Sequence, residues 1–274
     1  MGDEMDRPTN QTSDGEQLVR RIRESLAGQS AQERAAQNRE AALRWLFLWH
    51  KSTPGLLRRA VRVGRPGYAA QLERAGLIGI YKTPAVRGGR VVMLTEDGLA
   101  LAEAMFPEFI GRYDTRWASV KARLLVHDLM TQVLVLEAMA KREVAEFWPE
   151  HVAGAADVNG GKRSDCRILF VGSALPTAVE IERNAKSGYE LDRSLMGAAR
   201  AVHRNEVSGH VYTFLHQATA DHYRKTLASP LPYWERQLPA NRWVRTGEHW
   251  SVPLEIQARF KFIVRRDLMT SILP

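Results

Sequence analysis

Asp165 opens the apolar run Cys166–Val171, and Glu180 and Glu182 sit inside a second run that begins at Ala178. Acid buried in a strand is costly unless a cation or hydrogen bonds satisfy it, so these carboxylates are candidates for chemistry. Side chains alternate across a strand, which puts Glu180 and Glu182 on one face and Val179 and Ile181 on the other. Asp165 on a neighbouring strand would complete a three-oxygen site for a hard divalent cation, Mg2+ or Mn2+. Metal-assisted phosphodiester chemistry needs that arrangement. Asp165, Glu180 and Glu182 are therefore candidate metal ligands and catalytic residues. Lys186 has the same strand parity and can hold a phosphate oxygen as charge develops on it. His127, in the helical segment before these strands, either contacts a phosphate or positions water, or it is a buried, hydrogen-bonded histidine. Glu137 is about 15 Å further along that helix and cannot share an ion with His127.

Blander readings stand beside these. Asp165 could be a turn or cap residue. Glu180 and Glu182 could form the polar face of an edge strand paired with Arg183 and Lys186. Tyr189 is a conceivable nucleophile, with aromatic packing the favoured alternative.

The elements that must position these residues are a long helix over 120–142, a strand at Val144–Trp148, the Asp165 strand and the Glu180/Glu182 strand. A helix at Leu191–His203, a strand at Val211–Leu215 and a helix ending at Leu227 follow. The order is αβββαβα, a mixed α/β (α+β) class. The tail from Pro230 is rich in Trp, Pro and Arg, and Trp234, Trp243 and Trp250 read as cover for the sheet.

Upstream, the charge is concentrated. The chain of 274 residues has a net charge of +8, and the segment from Arg44 to Arg90 holds ten Lys/Arg against one acid, Glu73. A localised basic block is the electrostatic footprint of a polyanion binder. The pattern in this segment is a helix over 31–50, a helix from Pro54 capped by Thr53, a third helix over 67–75, and two strand-like runs, Leu77–Tyr81 and Arg90–Leu94, around a basic tip. A helix follows, capped by Thr95. Three helices, a basic hairpin and a closing helix describe a winged helix-turn-helix. Arg65, Tyr68, Gln71 and Arg74 on the third helix would enter the major groove. Arg87 and Arg90 of the hairpin would reach phosphate or the minor groove, and Arg58, Arg59, Arg62 and Lys82 are further candidate DNA contacts. The predicted units are a disordered polar tail over 1–30 with a short helix at 17–26, a DNA-binding unit over 31–106, a linker from Pro107 to about Arg116, and a catalytic unit over 117–274.

With 45% hydrophobic and 26% charged residues, the composition is ordinary for a globular protein. No run of 18 apolar residues suggests membrane insertion, and the polar N-terminus does not read as a signal peptide. A single cysteine, Cys166, excludes an internal disulfide, and a cytoplasmic setting is expected. The sequence has no Walker A loop and no Gly-x-Ser-x-Gly or His-Glu-x-x-His motif. It also has no His-x-His pair of the kind that holds metal beside a catalytic tyrosine. The remaining histidines do not converge on any motif. Asn159-Gly160-Gly161-Lys162 reads as a turn before the Asp165 strand.

The order helix, three strands, helix, strand, with Asp and then Glu-x-Glu on successive strands, resembles the PD-(D/E)xK restriction-endonuclease-like core. In that family the Asp and the first Glu hold Mg2+. Here Ser164-Asp165 stands where Pro-Asp is usual, and Glu182 where Lys is usual. Glu180-x-Glu182-x-x-x-Lys186-Ser187, with the winged helix and the His127 helix, is similar to the MobC-type mobilization relaxases and the related replication–relaxation family. The resemblance implies recognition of a transfer origin on a plasmid or integrative element and nicking of one strand with Mg2+ or Mn2+. It also implies passage of the DNA to a conjugative coupling protein, with relaxosome accessory proteins as partners. The alternative is a non-catalytic DNA-binding replication or transcription accessory protein with a degenerate nuclease fold.

Overall fold

The computed structural model describes residues 28–108, 113–141, 143–153, 164–239 and 242–272. The expected polar tail before residue 28, with its short helix, and the turn expected at 159–162 lie outside the described residues.

Ser30 starts helix α1 (Ala31–Trp49) with a capping box: its hydroxyl accepts from Glu33 N–H, and the Glu33 carboxylate accepts from Ser30 N–H. The end of α1 is apolar and buried from Trp45 to Trp49. Thr53 caps α2 (Pro54–Ala60), where proline at the first helical position loses no hydrogen bond. Helix α3 (Tyr68–Arg74) follows Gly67, which takes the left-handed conformation that a glycine allows. Strands β1 (Ile78–Lys82) and β2 (Arg90–Leu94) pair antiparallel, and Ser52 adds an isolated bridge to Val92. Thr95 caps α4 (Glu96–Met105). At Gly98 a Cβ would lie 1.9 Å from the Leu77 carbonyl oxygen, so only glycine permits this approach of α4 to the hairpin. The order of three helices, a hairpin and a fourth helix is the one the sequence suggests.

The second half runs α5 (Ala122–Ala140), β3 (Val144–Pro149), α6 (Glu150–Ala153), β4 (Cys166–Phe170), β5 (Thr177–Glu182), α7 (Gly188–His203), β6 (Gly209–Phe214) and α8 (Gln217–Leu227). Apart from the short α6, this is the expected αβββαβα order. After it come β7 (Leu231–Gln237), β8 (Arg242–Trp250), α9 (Leu254–Gln257), β9 (Phe260–Val264) and α10 (Asp267–Ile272). The five-stranded sheet has the order β3-β4-β5-β6-β9. Its first two pairings are antiparallel and its last two parallel. The tail is therefore more than tryptophan cover. It supplies the edge strand β9 and a separate antiparallel hairpin, β7–β8. The class is mixed α/β, and among the described residues no helix is long and apolar enough to cross a membrane.

One hydrophobic cluster runs from the first helices into the sheet, joining Trp45, Leu46 and Leu57 to Leu129, Val133, Val179 and Ile181. A buried polar chain crosses the same junction. Trp45 Nε1–H donates to Ser52 Oγ, Ser52 Oγ–H donates to Gln132 Oε1 at 2.6 Å, and the Gln132 amide donates to the Lys51 carbonyl at 2.7 Å. Tyr113, within the stretch expected as linker, donates its hydroxyl to the His50 carbonyl and accepts from Leu94 N–H. A second cluster on the other side of the sheet gathers α7, α8, β6 and β9 around Tyr212, Phe214 and Tyr223.

Candidate functional site

Strand register explains why the carboxylates meet. Cys166 pairs with Val179 across β4 and β5, so one step further sets Asp165 beside Glu180. The Asp165 carboxylate accepts from Ile181 N–H at 2.6 Å, and its carbonyl accepts from Glu150 N–H at the end of β3. Asp165 thus ties three strand ends together. It is not an isolated cap. β5 lies between β4 and β6, which removes the edge-strand reading of Glu180 and Glu182. Both glutamates are interior, 2% and 5% exposed.

A cavity of about 840 Å³ opens at this end of the sheet. His127, Asp165, Glu180, Glu182 and Lys186, all singled out by sequence, line it. His127 Nε2–H donates to Asp165 Oδ2 at 3.0 Å. Burial pushes the His127 pKa down, but the hydrogen bond and charge of Asp165, with the charges of Asp128 and Glu180, outweigh it and hold the pKa above its ordinary value. His127 is therefore half-buried and hydrogen-bonded, and it lines the cavity. Lys186 lies beyond the end of β5, not on the strand as parity suggested. It reaches back from the following loop to pair with Glu182, while its backbone N–H donates to the Tyr223 hydroxyl. Exposed Lys121 and Arg123 stand at the rim with half-buried Arg183, which donates to the Arg123 carbonyl. The site has an acidic floor and a basic rim. Glu137 belongs elsewhere, in a two-pronged pair with Arg265.

Four lining residues escaped sequence reasoning. Lys51 pairs with Asp128 at 2.6 Å, and burial outweighs the lysine in raising the Asp128 pKa. His50 and His151 lie with ring centroids 4.0 Å apart. Burial is the main cause that lowers the His50 pKa to about 3 and the His151 pKa to about 4, so both are neutral at neutral pH. His50 takes φ 62, a left-handed conformation that costs a non-glycine residue energy and turns the chain at the end of α1. Residues one hundred positions apart carry no shared motif; the only local signals were His127-Asp128 in one helix and Glu150-His151 directly after a strand.

The donor chemistry of Asp165, Glu180 and Glu182 suits a hard cation. Their arrangement here is closed, because His127 and Ile181 N–H occupy Asp165 and Lys186 occupies Glu182. Among the described residues, no group of three or more His, Cys, Asp or Glu is placed to hold a metal ion.

Of the residues chosen for DNA contact, Arg59, Arg62, Arg65, Gln71, Arg74, Lys82 and Arg90 are exposed and Arg58 is half-buried. Two depart from expectation. Tyr68 packs against the core with its hydroxyl shut in, and burial raises its pKa to about 12, which favours packing over contact with a base edge. Arg87 is tied to α10, its N–H bonding the Ile272 carbonyl and its guanidinium the Thr270 carbonyl. Tyr189, the conceivable nucleophile, stacks on Trp243 and accepts from Arg193. The chain matches no family model, no curated protein and no solved structure.

Proposed function

We propose that this chain binds DNA through a winged helix-turn-helix in its first half and nicks one strand at the β5 cavity. In this reading it is a relaxase-type endonuclease acting at a plasmid or integrative-element transfer origin. The observation that carries the proposal is convergence: His127, Asp165, Glu180, Glu182 and Lys186 come from a helix, two strands and a loop, and all face one cavity. The helix–strand order with a central acidic strand supports a restriction-endonuclease-like core.

The basic rim suits the backbone of the strand to be cut, since charge-assisted contacts fix a phosphate in place. Lys186 would stabilise charge growing on the phosphoryl oxygens. His127 in its protonated form would donate a hydrogen bond or a proton to a phosphate or leaving oxygen. Mg2+ or Mn2+ is the proposed cofactor; Asp165, Glu180 and Glu182 would be its ligands once His127 and Lys186 release Asp165 and Glu182, and the ion would supply Lewis acidity when bound. The conjugative coupling protein and relaxosome accessory proteins are the partners this reading implies.

A second reading rests on the closed ion pairs. If His127 and Lys186 neutralise the carboxylates permanently, the chain is a DNA-binding accessory protein with a degenerate site. Incubation with supercoiled plasmid carrying the cognate origin separates the two. Conversion to open circles in Mn2+, blocked by EDTA and lost in Asp165→Asn and Glu180→Gln while DNA binding persists, supports nicking. Binding that survives EDTA, with no open circles in any divalent metal, supports the accessory role. Linear product would point to double-strand cleavage.

A further inference from the structure

The β7–β8 hairpin carries a surface that the nicking reading does not use. Trp234 pairs with Arg245 and Arg236 with Trp243, and directly paired residues share a sheet face. Positions two apart share it too, so these four side chains form a checkerboard of indoles and guanidiniums. None of the four positions is acidic.

Helix α7 completes and fixes this surface. Tyr189 stacks on Trp243 with centroids 4.3 Å apart and planes 14° from parallel, and meets Trp234 edge-on at 5.5 Å. Arg193 lies 5.8 Å from the Tyr189 ring centre and 5.9 Å from that of Trp243, and Arg245 lies 5.2 Å from that of Trp234. Asp192, 5% exposed, accepts from Trp234 Nε1–H and faces Arg245 at 3.7 Å. A buried carboxylate thus sets the positions of one ring and one cation. The platform is nonetheless open, with Trp243 39% exposed and the Arg245 side chain 60% exposed. Glu190, one residue after Tyr189, lines the β5 cavity, so the platform begins at the cavity's edge.

We propose that this platform binds single-stranded DNA. Planar rings offer stacking partners to bases of any identity, and interleaved arginines match a phosphate at each step. Duplex DNA hides its base faces and fits poorly. An acidic peptide would engage the arginines but not the rings. Binding here does not depend on cleavage, and the inference stands apart from the nicking reading.

The test uses the full chain, fluorescence anisotropy and a labelled 20-mer of deoxythymidylate. Trp243→Ala is expected to weaken binding by about tenfold or more, and Trp243→Phe to recover most of it. Arg245→Gln should weaken binding and make the log–log salt slope shallower by about 0.7. Arg59→Gln with Arg62→Gln should weaken binding of a 20-base-pair duplex by a larger factor than binding of the 20-mer, and Trp243→Ala should do the reverse, which separates the platform from the basic helices. Should Trp243→Ala fold poorly, quenching of the parent's tryptophan fluorescence by the 20-mer gives the same reading. Equal binding of a uridylate 20-mer supports the platform as a reader of single strands irrespective of sugar. Unchanged affinity in Trp243→Ala, no quenching in the parent, or equal competition by polyglutamate or by duplex would overturn the proposal.

Discussion

β5 and β6 lie side by side in parallel register, yet matching rows of the two strands are filled in opposite ways. Glu180 is level with Tyr212, and Glu182 with Phe214. On β6 those rows continue into β9 as an aromatic stack, with Tyr212 and Phe262 centroids 5.8 Å apart, and Tyr223 of α8 meets Phe214 edge-on. On β5 they hold carboxylates: Glu182 pairs with Lys186, and Glu180 lies beside Asp165, which His127 and Ile181 N–H hold. Buried charge costs several kcal/mol per ion before its partners repay it, and well-packed apolar residues do the structural task better. The contrast marks the aromatic rows as structural and, on the proposed reading, leaves the acidic rows for chemistry.

The largest expected effect lies on the aromatic side. Phe214→Ala should lower unfolding free energy by about 3–5 kcal/mol in urea titration, because a fully buried ring leaves a cavity. Purified in its folded form, the variant should keep the chemistry of the β5 cavity; a cost below about 1 kcal/mol would break the contrast. Next is acid. His50 and His151 stay neutral when folded but protonate near pH 6.5 when unfolded, so the unfolded state binds more protons below that pH. Stability due to this pair is present above pH 6.5 and falls by about 1.4 kcal/mol per pH unit per histidine on the way down to about pH 4. The double variant His50→Gln, His151→Gln should flatten thermal-denaturation midpoints across that window. His127 has the opposite sign: its raised pKa adds stability below pH 6.5 that is lost as the pH rises through its folded value.

Smaller still is Lys186→Met. It removes the Lys186–Glu182 ion pair, and a cost of about 2 kcal/mol is expected, less than for a fully buried pair because the lysine is one-third exposed. The smallest effect on stability is expected from Glu180→Met. A shift within about 1 kcal/mol, or a gain, should accompany complete loss of nicking. A strongly destabilised Glu180→Met would instead mark the acidic row as structural.

Strand alternation made the shared face of Glu180 and Glu182 legible, because a period of two survives in any sheet. Asp165 was legible for its position before an apolar run, and the basic block for its charge alone. The partners were not. Lys51–Asp128 and His50–His151 arise from tertiary packing between segments remote in sequence, and Lys186 reaches Glu182 only because β5 stops at Glu182. β8 was hidden because Arg242 to Trp250 is rich in polar and charged residues, as a two-stranded ribbon without a deep core permits. Tyr68 misled because an aromatic at a helix start reads equally well as a contact or as packing.

The junction crossed by Trp45, Ser52 and Gln132 packs the basic helices directly against the elements that carry the acidic cavity. On the proposed nicking reading, a protein built this way would work as a ruler. Whatever sequence the helices grip, the cut would fall at a constant offset from it. Lengthening the DNA between grip and cut site by a few base pairs should leave that offset unchanged and move the break to a different nucleotide.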